Sequence, residues 1–272
     1  GKNGASRARS LAEGGGGTEP HGVERAATDE NKAQHTPRRL ARGGAKGHAG
    51  ANIATKLLGA NSIDAYATGG VRELRTDELK SQPKPPPTDV AVREALRELR
   101  GDDWAAQFDA INLLRRVFAH SEGDTVDPAI LAQLHSLNLL LIGFADSLRS
   151  ALAKNACVCF REMFARLGRH MEADLDQVVP VLIKKAAESN GFICDEANKA
   201  LAVMAHSVSD GRAIGAFAAC AAHRNPSARA KAALHLSRAL EVIGFAKLLH
   251  SRELDRIVSV FANLLTEGLS ET

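Results

Sequence analysis

Four cysteines and ten histidines are the side chains of this 272-residue chain best suited to bind a metal ion. Cys157 and Cys159 lie two residues apart, a spacing that points them to different faces of a helix and makes them poor partners for one metal. The histidines are scattered, and none forms an H-x-x-x-H pair with a nearby acid. We therefore predict no metal site and no cofactor. We expect reduced thiols in an intracellular protein, with Cys157 and Cys159 as small core residues.

Catalytic chemistry finds no support in the sequence either. The chain shows no paired nucleophile and base, no Gly-rich loop of the phosphate-binding type and no cluster of carboxylates. We therefore expect a non-catalytic protein whose functional residues form binding surfaces.

A basic cluster, TPRRLARGGAKGH at residues 36–48, could contact an acidic partner through Arg38, Arg39, Arg42 and Lys46. The alternative is a solvated arm without a partner. No aromatic residue is interleaved with the cluster, so nothing provides for base stacking, and nucleic acid is not the expected partner.

The composition of the chain changes near residue 88. Residues 1–88 carry 14 Lys and Arg against 9 Asp and Glu, whereas residues 89–272 carry 21 against 23, which together give the net charge of +3. The first part is rich in Gly, Ala, Pro and charged residues and cannot bury enough apolar surface to offset the entropy of ordering. We therefore predict a largely disordered basic arm at 1–82, a Pro-rich linker at 83–88 and a folded domain at 89–272.

Helical patterns separated by short breaks follow from residue 88 onward, without sustained strand-type alternation. Start signals precede several of them, such as Asp102 or Asp103 before the second and the Asp127–Pro128 pair before the third. The longest apolar run, at 137–145, is about half of what a membrane span needs, so no membrane contact is expected. The sequence predicts an all-α fold with about nine helices, at 88–100, 102–120, 127–145, 147–168, 173–189, 192–207, 210–223, 226–244 and 251–268.

The predicted helices form pairs that repeat along the chain. The second helix of each pair opens at Trp104, Leu148, Ile193 and Ala228, which gives spacings of 44, 45 and 35 residues, near the 40–47 of HEAT and armadillo repeats. This periodicity predicts a right-handed α-solenoid of about four and a half HEAT-like hairpins, with an irregular helical bundle as the alternative. Stacked hairpins place their turns along one edge. We call the four loops at residues 100–106, 144–150, 188–195 and 223–230 the ridge.

Three ridge residues have both a structural and a functional interpretation. Trp104, the only tryptophan of the chain, could cap the core of the first hairpin or be held out for a partner. Arg149 and Arg229 occupy equivalent positions, where each could pack its stem and bond to a neighbouring repeat, or bind a partner. Backbone N–H groups are exposed at helix starts, so the ridge is predicted to be a protein-binding edge that tolerates anions.

Motifs along the ridge resemble those of TOG domains, the tubulin-binding HEAT arrays of microtubule regulators. They are the Asp-Asp-Trp loop that opens WxxxxxAIxxL, then LRSALAKNAC, then KAAESNGFICDEANKAL. Among TOG domains the chain most resembles the CLASP and crescerin branch, over roughly residues 89–272. The resemblance implies that tubulin is contacted by residues of all four loops: Asp103 and Trp104 in the first, Ser147 and Arg149 in the second, Asn190, Phe192 and Ile193 in the third, and Asn225, Ser227 and Arg229 in the fourth.

The resemblance also implies a setting for the protein. It predicts a non-catalytic microtubule-associated protein in the cytoplasm and cytoskeleton, in a ciliary or axonemal context. The basic cluster of the arm would then add contacts to the acidic microtubule surface, and the arm could reach other axonemal or cytoskeletal proteins.

The sequence departs from the TOG pattern at two loops. Strong tubulin binders usually have a basic residue just after the Trp, where this chain has Ala105 and Gln107, and Cys194 stands where many HEAT loops carry Arg. These departures favour the alternative, a HEAT or armadillo-type scaffold adaptor that binds a non-tubulin protein. A TOG domain has six hairpins, and GLSET at 268–272 resembles the opening of a fifth loop, so we expect a fragment of a longer chain.

Overall fold

The computed structural model of the chain describes residues 73–123 and 125–266, which are helices joined by short connections. The predicted all-α fold is confirmed, and each of the nine predicted helices has a counterpart. Two short helices, the first and the tenth, were not predicted. In chain order the helices are α1 (Thr76–Ser81), α2 (Thr88–Leu99), α3 (Trp104–His120), α4 (Pro128–Ala145), α5 (Ser150–Leu167), α6 (Leu175–Ala186), α7 (Gly191–Ser207), α8 (Asp210–Cys220), α9 (Pro226–Ile243), α10 (Phe245–Leu248) and α11 (Leu254–Thr266), with a 3₁₀ stretch at Gly168–Asp174.

The helices form consecutive hairpins, α2–α3, α4–α5, α6–α7 and α8–α9, and α11 follows them. Each first helix packs against the next first helix, from α2 through α4 and α6 to α8. Each second helix packs against the next second helix, from α3 through α5 and α7 to α9. The result is two layers of helices with one continuous apolar core between them, so the predicted HEAT-like solenoid is confirmed.

Local sequence explains where the helices begin and end. The carboxylates of Asp103 and Asp127 accept the N–H groups of the second residues of α3 and α4, and the Asn225 side chain does the same at α9. α5 ends at Gly168, whose φ of 53° suits glycine, and a Cβ there would stand 3.2 Å from the Ser207 carbonyl oxygen. These caps fix the lengths of the loops that make up the ridge.

Three of the four thiols lie in the core. Cys157, Cys159 and Cys220 are buried and unbridged, as predicted for the first two, while Cys194 on the third ridge loop is half-buried. Burial raises the pKa of the Cys157 and Cys220 thiols to about 12 and that of Cys159 further still. The core thiols are therefore protonated packing groups at neutral pH.

Residues 73–82, which we call the N-terminal strap, pack against the array. Leu79 on α1 is fully buried, and its carbonyl oxygen lies 3.1 Å from Nε2 of His120 on α3. Glu73 forms an ion pair of 2.8 Å with Lys154 of α5. This packing places the strap with the helical array rather than with the arm to which the sequence analysis assigned it.

A buried arginine fastens the strap to the second-helix layer. Arg115, 1% exposed, donates to Glu162 at 2.9 Å, to Asn155 at 2.8 Å and to the Leu74 carbonyl oxygen at 2.7 Å. The Thr76 hydroxyl of the strap donates to the same Glu162 carboxylate at 2.6 Å. Strap, α3 and α5 therefore share one buried, hydrogen-bonded ion pair.

Helix α4 is long and apolar enough, by length and composition, to cross a membrane. The sequence prediction rested on the apolar run at 137–145 alone, which is too short to span a membrane. In the structure Leu134, Leu137 and Leu141 are buried, and α4 packs against α2, α5 and α6. α4 therefore packs through one face only, since 33% of it is buried and Leu139 is 45% exposed.

Candidate functional site

Contacts between successive loops show that the ridge is continuous over its first three loops. The Arg149 guanidinium of the second loop lies over the Trp104 ring of the first, 5.0 Å from its centroid. Lys184 and Lys185, at the end of α6 just before the third loop, reach Asp146 of the second at 2.6 and 3.3 Å. A charged side chain therefore joins the first loop to the second, and another joins the second loop to the end of α6.

Trp104 is half-buried at the first position of α3. Asp103 ahead of it is exposed, and its carboxylate caps the helix by accepting the Ala105 N–H at 3.0 Å. One face of the indole is covered by Arg149 in a cation–π contact, which holds the guanidinium close to the ring. Trp104 therefore fits both interpretations, because its ring packs against Arg149 and part of the side chain stays exposed.

Beside this pair lies a recess of about 440 Å³ between the first and second hairpins. Its walls come from the first turn of α3, the last two turns of α4 and the start of α5. The lining residues are Asp102, Trp104, Gln107, Leu139, Leu140, Gly143, Phe144, Ser147, Arg149 and Leu152. Sequence reasoning did not find this recess, because it depends on how two hairpins are spaced.

The second loop presents an apolar residue that the prediction omitted. Ser147, half-buried, accepts the Arg149 N–H on its hydroxyl at 3.2 Å, which closes a tight turn. Leu148 between them is fully exposed, at 104% of its reference surface. No signal in the sequence pointed to this exposure, since Leu148 stands four residues before the buried Leu152, which is the spacing of one helix face.

The third loop divides its predicted residues between surface and core. Phe192 is 77% exposed, and the Lys154 ammonium lies 5.6 Å from its ring centroid. Asn190 is exposed at the helix start. Ile193, at 5% exposure, faces the core and is not available for contact. Cys194 donates its thiol to the Ala186 carbonyl oxygen at 3.0 Å, so it ties the loop to α6.

Carboxylates of the array already pair with the lysines beside the third loop. Lys184 and Lys185 both reach Asp146, and the Lys184 hydrogen bond holds the pKa of that carboxyl below its ordinary value. Burial opposes the charged form of Lys185, but its bonds to Glu188 and Asp146 outweigh it and raise its pKa. These lysines stay charged while offering little net positive charge to a partner.

The fourth loop is stabilised from within. Arg229, half-buried, donates to the carbonyl oxygens of His223 at 2.9 Å and Arg224 at 3.2 Å. Asn225 accepts the Ser227 N–H at 2.9 Å, and both residues are exposed. Arg229 therefore shapes the loop, and the exposed side chain of Arg224, which the sequence prediction did not name, is the cation that the loop presents.

The structure brings together only part of the predicted set. Trp104, Ser147 and Arg149 line one recess, and Phe192 lies on the next loop beside Lys154. The predicted arm residues Arg38, Arg39, Arg42 and Lys46 lie outside the described residues. Within residues 73–123 and 125–266, no three His, Cys, Asp or Glu side chains are grouped closely enough to hold a metal ion.

The sequence of the chain matches a known protein family and several known proteins. Residues 92–270 match the family model described as CLASP N terminal. The chain is 36% identical over 138 residues to the human TOG array regulator of axonemal microtubules protein 1, which covers 50% of this chain and 8% of that protein. It is 29% identical over 200 residues to the mouse protein of the same name, covering 72% and 11%.

A third relative is more distant. The crescerin-like protein che-12 of Caenorhabditis elegans is 22% identical over 167 residues, covering 61% of this chain and 13% of that protein. The chain thus spans about a tenth of the length of the curated relatives it matches. The predicted resemblance to TOG domains of the CLASP and crescerin branch is confirmed, and the chain belongs to the CLASP N-terminal family.

Proposed function

We propose that this array is a non-catalytic, microtubule-associated domain that binds tubulin through the ridge, in a ciliary or axonemal setting. The observation that carries the proposal is the concentration of large exposed side chains on three successive ridge loops. Half-buried Trp104 with Arg149 over its ring, and the exposed Leu148 and Phe192, lie on one edge of the described array. Clustered aromatic and arginine side chains are the residue types that dominate binding energy at protein interfaces.

The relatives support the choice of partner. Two of them are named regulators of axonemal microtubules, and the third is named crescerin-like. Tubulin is strongly acidic, so exposed Arg149 and Arg224 would add steering and charge-assisted contacts. The basic cluster of the arm, through Arg38, Arg39, Arg42 and Lys46, would add a second, salt-sensitive contact to the lattice.

A charge reversal on the ridge tests the proposal. In gel filtration with tubulin and co-sedimentation with microtubules, we expect the full chain to bind and Arg149→Glu to bind about tenfold or more weakly, because it loses the cation–π contact and repels acidic tubulin. The matched control is Arg252→Glu, an equal charge change at an exposed site on the opposite edge, which should bind like the wild type.

The two outcomes that would overturn the proposal are distinct. If the full chain binds neither free tubulin nor polymer, tubulin is not the partner. If both arginine variants bind equally to each other, the ridge is not the binding edge.

One observation favours a second candidate, a HEAT-type adaptor for a non-tubulin protein. The first loop lacks a cation at Ala105 and Gln107, and the lysines near the third loop are paired with Asp146 and Glu188. A ridge of this kind suits a partner that is less acidic than tubulin. If the intact chain melts cooperatively, and so is folded, but does not bind tubulin, this candidate is favoured.

A further inference from the structure

The recess between the first two ridge loops has an apolar floor that no described residue covers. Leu139 on α4 is 45% exposed, and Leu140 and Phe144 are half-buried on the same wall. Exposed apolar surface facing a concave space lacks the packing contacts that the rest of the core makes. A volume of about 440 Å³ lies within the range of pockets that bind small ligands, and it accommodates a side chain with its adjoining backbone.

Glycine at position 143 keeps the recess open. Gly143 lies in the last two turns of α4, is exposed, and lines the recess. A Cβ built on it would have no heavy atom within 4 Å, so neither crowding nor backbone conformation requires glycine here. A glycine inside a helix costs about 1 kcal/mol relative to alanine, and at Gly143 the structure offers no local compensation for that cost.

The mouth of the recess carries one cation in a fixed position. Arg149 is held over the Trp104 ring and forms no ion pair within residues 73–123 and 125–266. Asp102 on the same rim is exposed and likewise has no ion pair among those residues. A carboxylate that approaches the mouth would therefore be directed to the Arg149 side and away from Asp102.

We propose that this recess is an anchor pocket, which receives one apolar side chain from the partner while an adjacent partner carboxylate pairs with Arg149. The inference rests on the proposed function, since the partner used here is tubulin, and it states how the ridge binds that partner. Trp104 is then a wall of the pocket and the support of Arg149. The chemistry required of the partner is a surface segment with an apolar residue next to an acidic one.

Filling the pocket tests the inference. Gly143→Leu adds an apolar side chain at a helical position that lines the recess and where a Cβ meets no heavy atom within 4 Å, so we expect a melting temperature no lower than that of the wild type. We expect tubulin binding by the full chain to weaken about tenfold or more. Gly143→Ala, which improves the helix without filling the recess, should bind within about twofold of the wild type.

A matched control separates filling from a general effect of Gly→Leu. Gly211 is exposed at the start of α8, on the opposite edge, and a Cβ there also has no heavy atom within 4 Å. Gly211→Leu should leave tubulin binding unchanged. If Gly143→Leu lowers the melting temperature, Leu139→Asn at the already exposed wall residue provides the same test by removing apolar contact surface.

Each outcome assigns failure to one proposal. If the wild type binds tubulin and Gly143→Leu binds equally well, the anchor pocket is overturned and the proposed function stays intact. The same holds for Leu139→Asn where that variant replaces Gly143→Leu. No binding by the wild type overturns the proposed function, and the inference that rests on it falls with it. Loss of binding in Gly143→Leu but not in Gly143→Ala or Gly211→Leu supports the pocket.

Discussion

Arg149 places a cation beside Trp104, where the residues that follow in the first loop carry none. The residues that follow Trp104 are Ala105 and, two positions later, Gln107, neither of which is charged. The guanidinium of Arg149 comes across from the second loop and lies 5.0 Å from the indole centroid. Because it is held on the ring, less side-chain entropy is lost when it binds an anion. A cation is therefore present beside Trp104 although the residues that follow it carry none.

Leu148 gives the first prediction at the residue scale. Its side chain is fully exposed and makes no contribution to the core, so Leu148→Ser should leave the melting temperature within about 2 °C of the wild type. If the ridge binds through apolar contact, tubulin affinity measured by co-sedimentation should fall about fivefold or more. Leu249→Ser, a half-exposed leucine after α10 on the opposite edge, is the control. Equal binding by the two variants would exclude Leu148 from the interface.

Residue types on the ridge were predictable, but their orientations were not. Trp104 and Arg149 could be assigned to the ridge from the sequence because their loops carry recognisable motifs. Ile193 is predicted beside Phe192, yet a step of one residue on a helix is a rotation of about 100°, which takes it from surface to core. Arg229 shapes its own loop through two carbonyl oxygens that only the folded turn brings within reach.

The helix of the N-terminal strap depends on tertiary contact for its stability. Its helix α1 has only six residues, fewer than an isolated helix needs in water, so packing must stabilise it. The buried Leu79 and the Arg115–Glu162 pair supply that packing. The strap was not predicted to fold, because Leu79, its one buried apolar residue, lies between charged and Pro-rich stretches of sequence.

Truncating Leu79 tests whether the strap belongs to the cooperative fold. Leu79→Ala should lower the free energy of unfolding by about 2–4 kcal/mol, since the side chain is fully buried against the array. Urea denaturation of the full chain measures the change. Leu265→Ala on α11, where the leucine is 75% exposed, should change stability by about 0.5 kcal/mol or less. Similar small effects for both variants would mean that the strap is not part of the folding unit.

The repeated elements were predictable for a different reason. The starts of the second helices are 44, 45 and 35 residues apart because each repeat is one helical hairpin, which buries its apolar stripe against the neighbouring hairpins. Helix starts were also well marked, as at Asp103, Asp127 and Asn225. Helix ends were predicted less accurately. The helix predicted at 173–189 ends at Ala186, and a 3₁₀ stretch at Gly168–Asp174 stands where a short break was predicted.

At the scale of the whole fold, a histidine that is buried among the described residues predicts sensitivity to acid. His235 on α9 is 2% exposed, stacks on Phe217 of α8 and bonds through Nε2 to Asn198 of α7 at 2.9 Å. Burial, with smaller contributions from Arg238 and Lys231, lowers the pKa of His235 to about 4. The neutral imidazole therefore connects three helices of the two layers.

Protonation of His235 should destabilise the array progressively below neutral pH. Because the folded-state pKa lies below the unfolded value of 6.5, the unfolded chain takes up a proton that the folded chain does not, and stability is lost as the pH falls from 6.5 towards 4. Between pH 7.5 and pH 5 the loss from this group is about 2 kcal/mol. Urea denaturation at both pH values should show a smaller pH difference for His235→Gln than for the wild type. His206→Gln, at an exposed histidine, should keep the wild-type difference, and an unchanged difference in His235→Gln would contradict the assignment.

The placement of the thiols makes the ridge chemically distinct from the rest of the array. Cys157, Cys159 and Cys220 are buried with raised pKa values, so they react slowly with thiol reagents. Cys194, the remaining cysteine of the chain, is half-buried on the third ridge loop beside Phe192. A maleimide dye would therefore mark the ridge selectively in the unmodified sequence, and a partner seated there would slow the labelling. Cys194 would thus report whether a partner occupies the third loop.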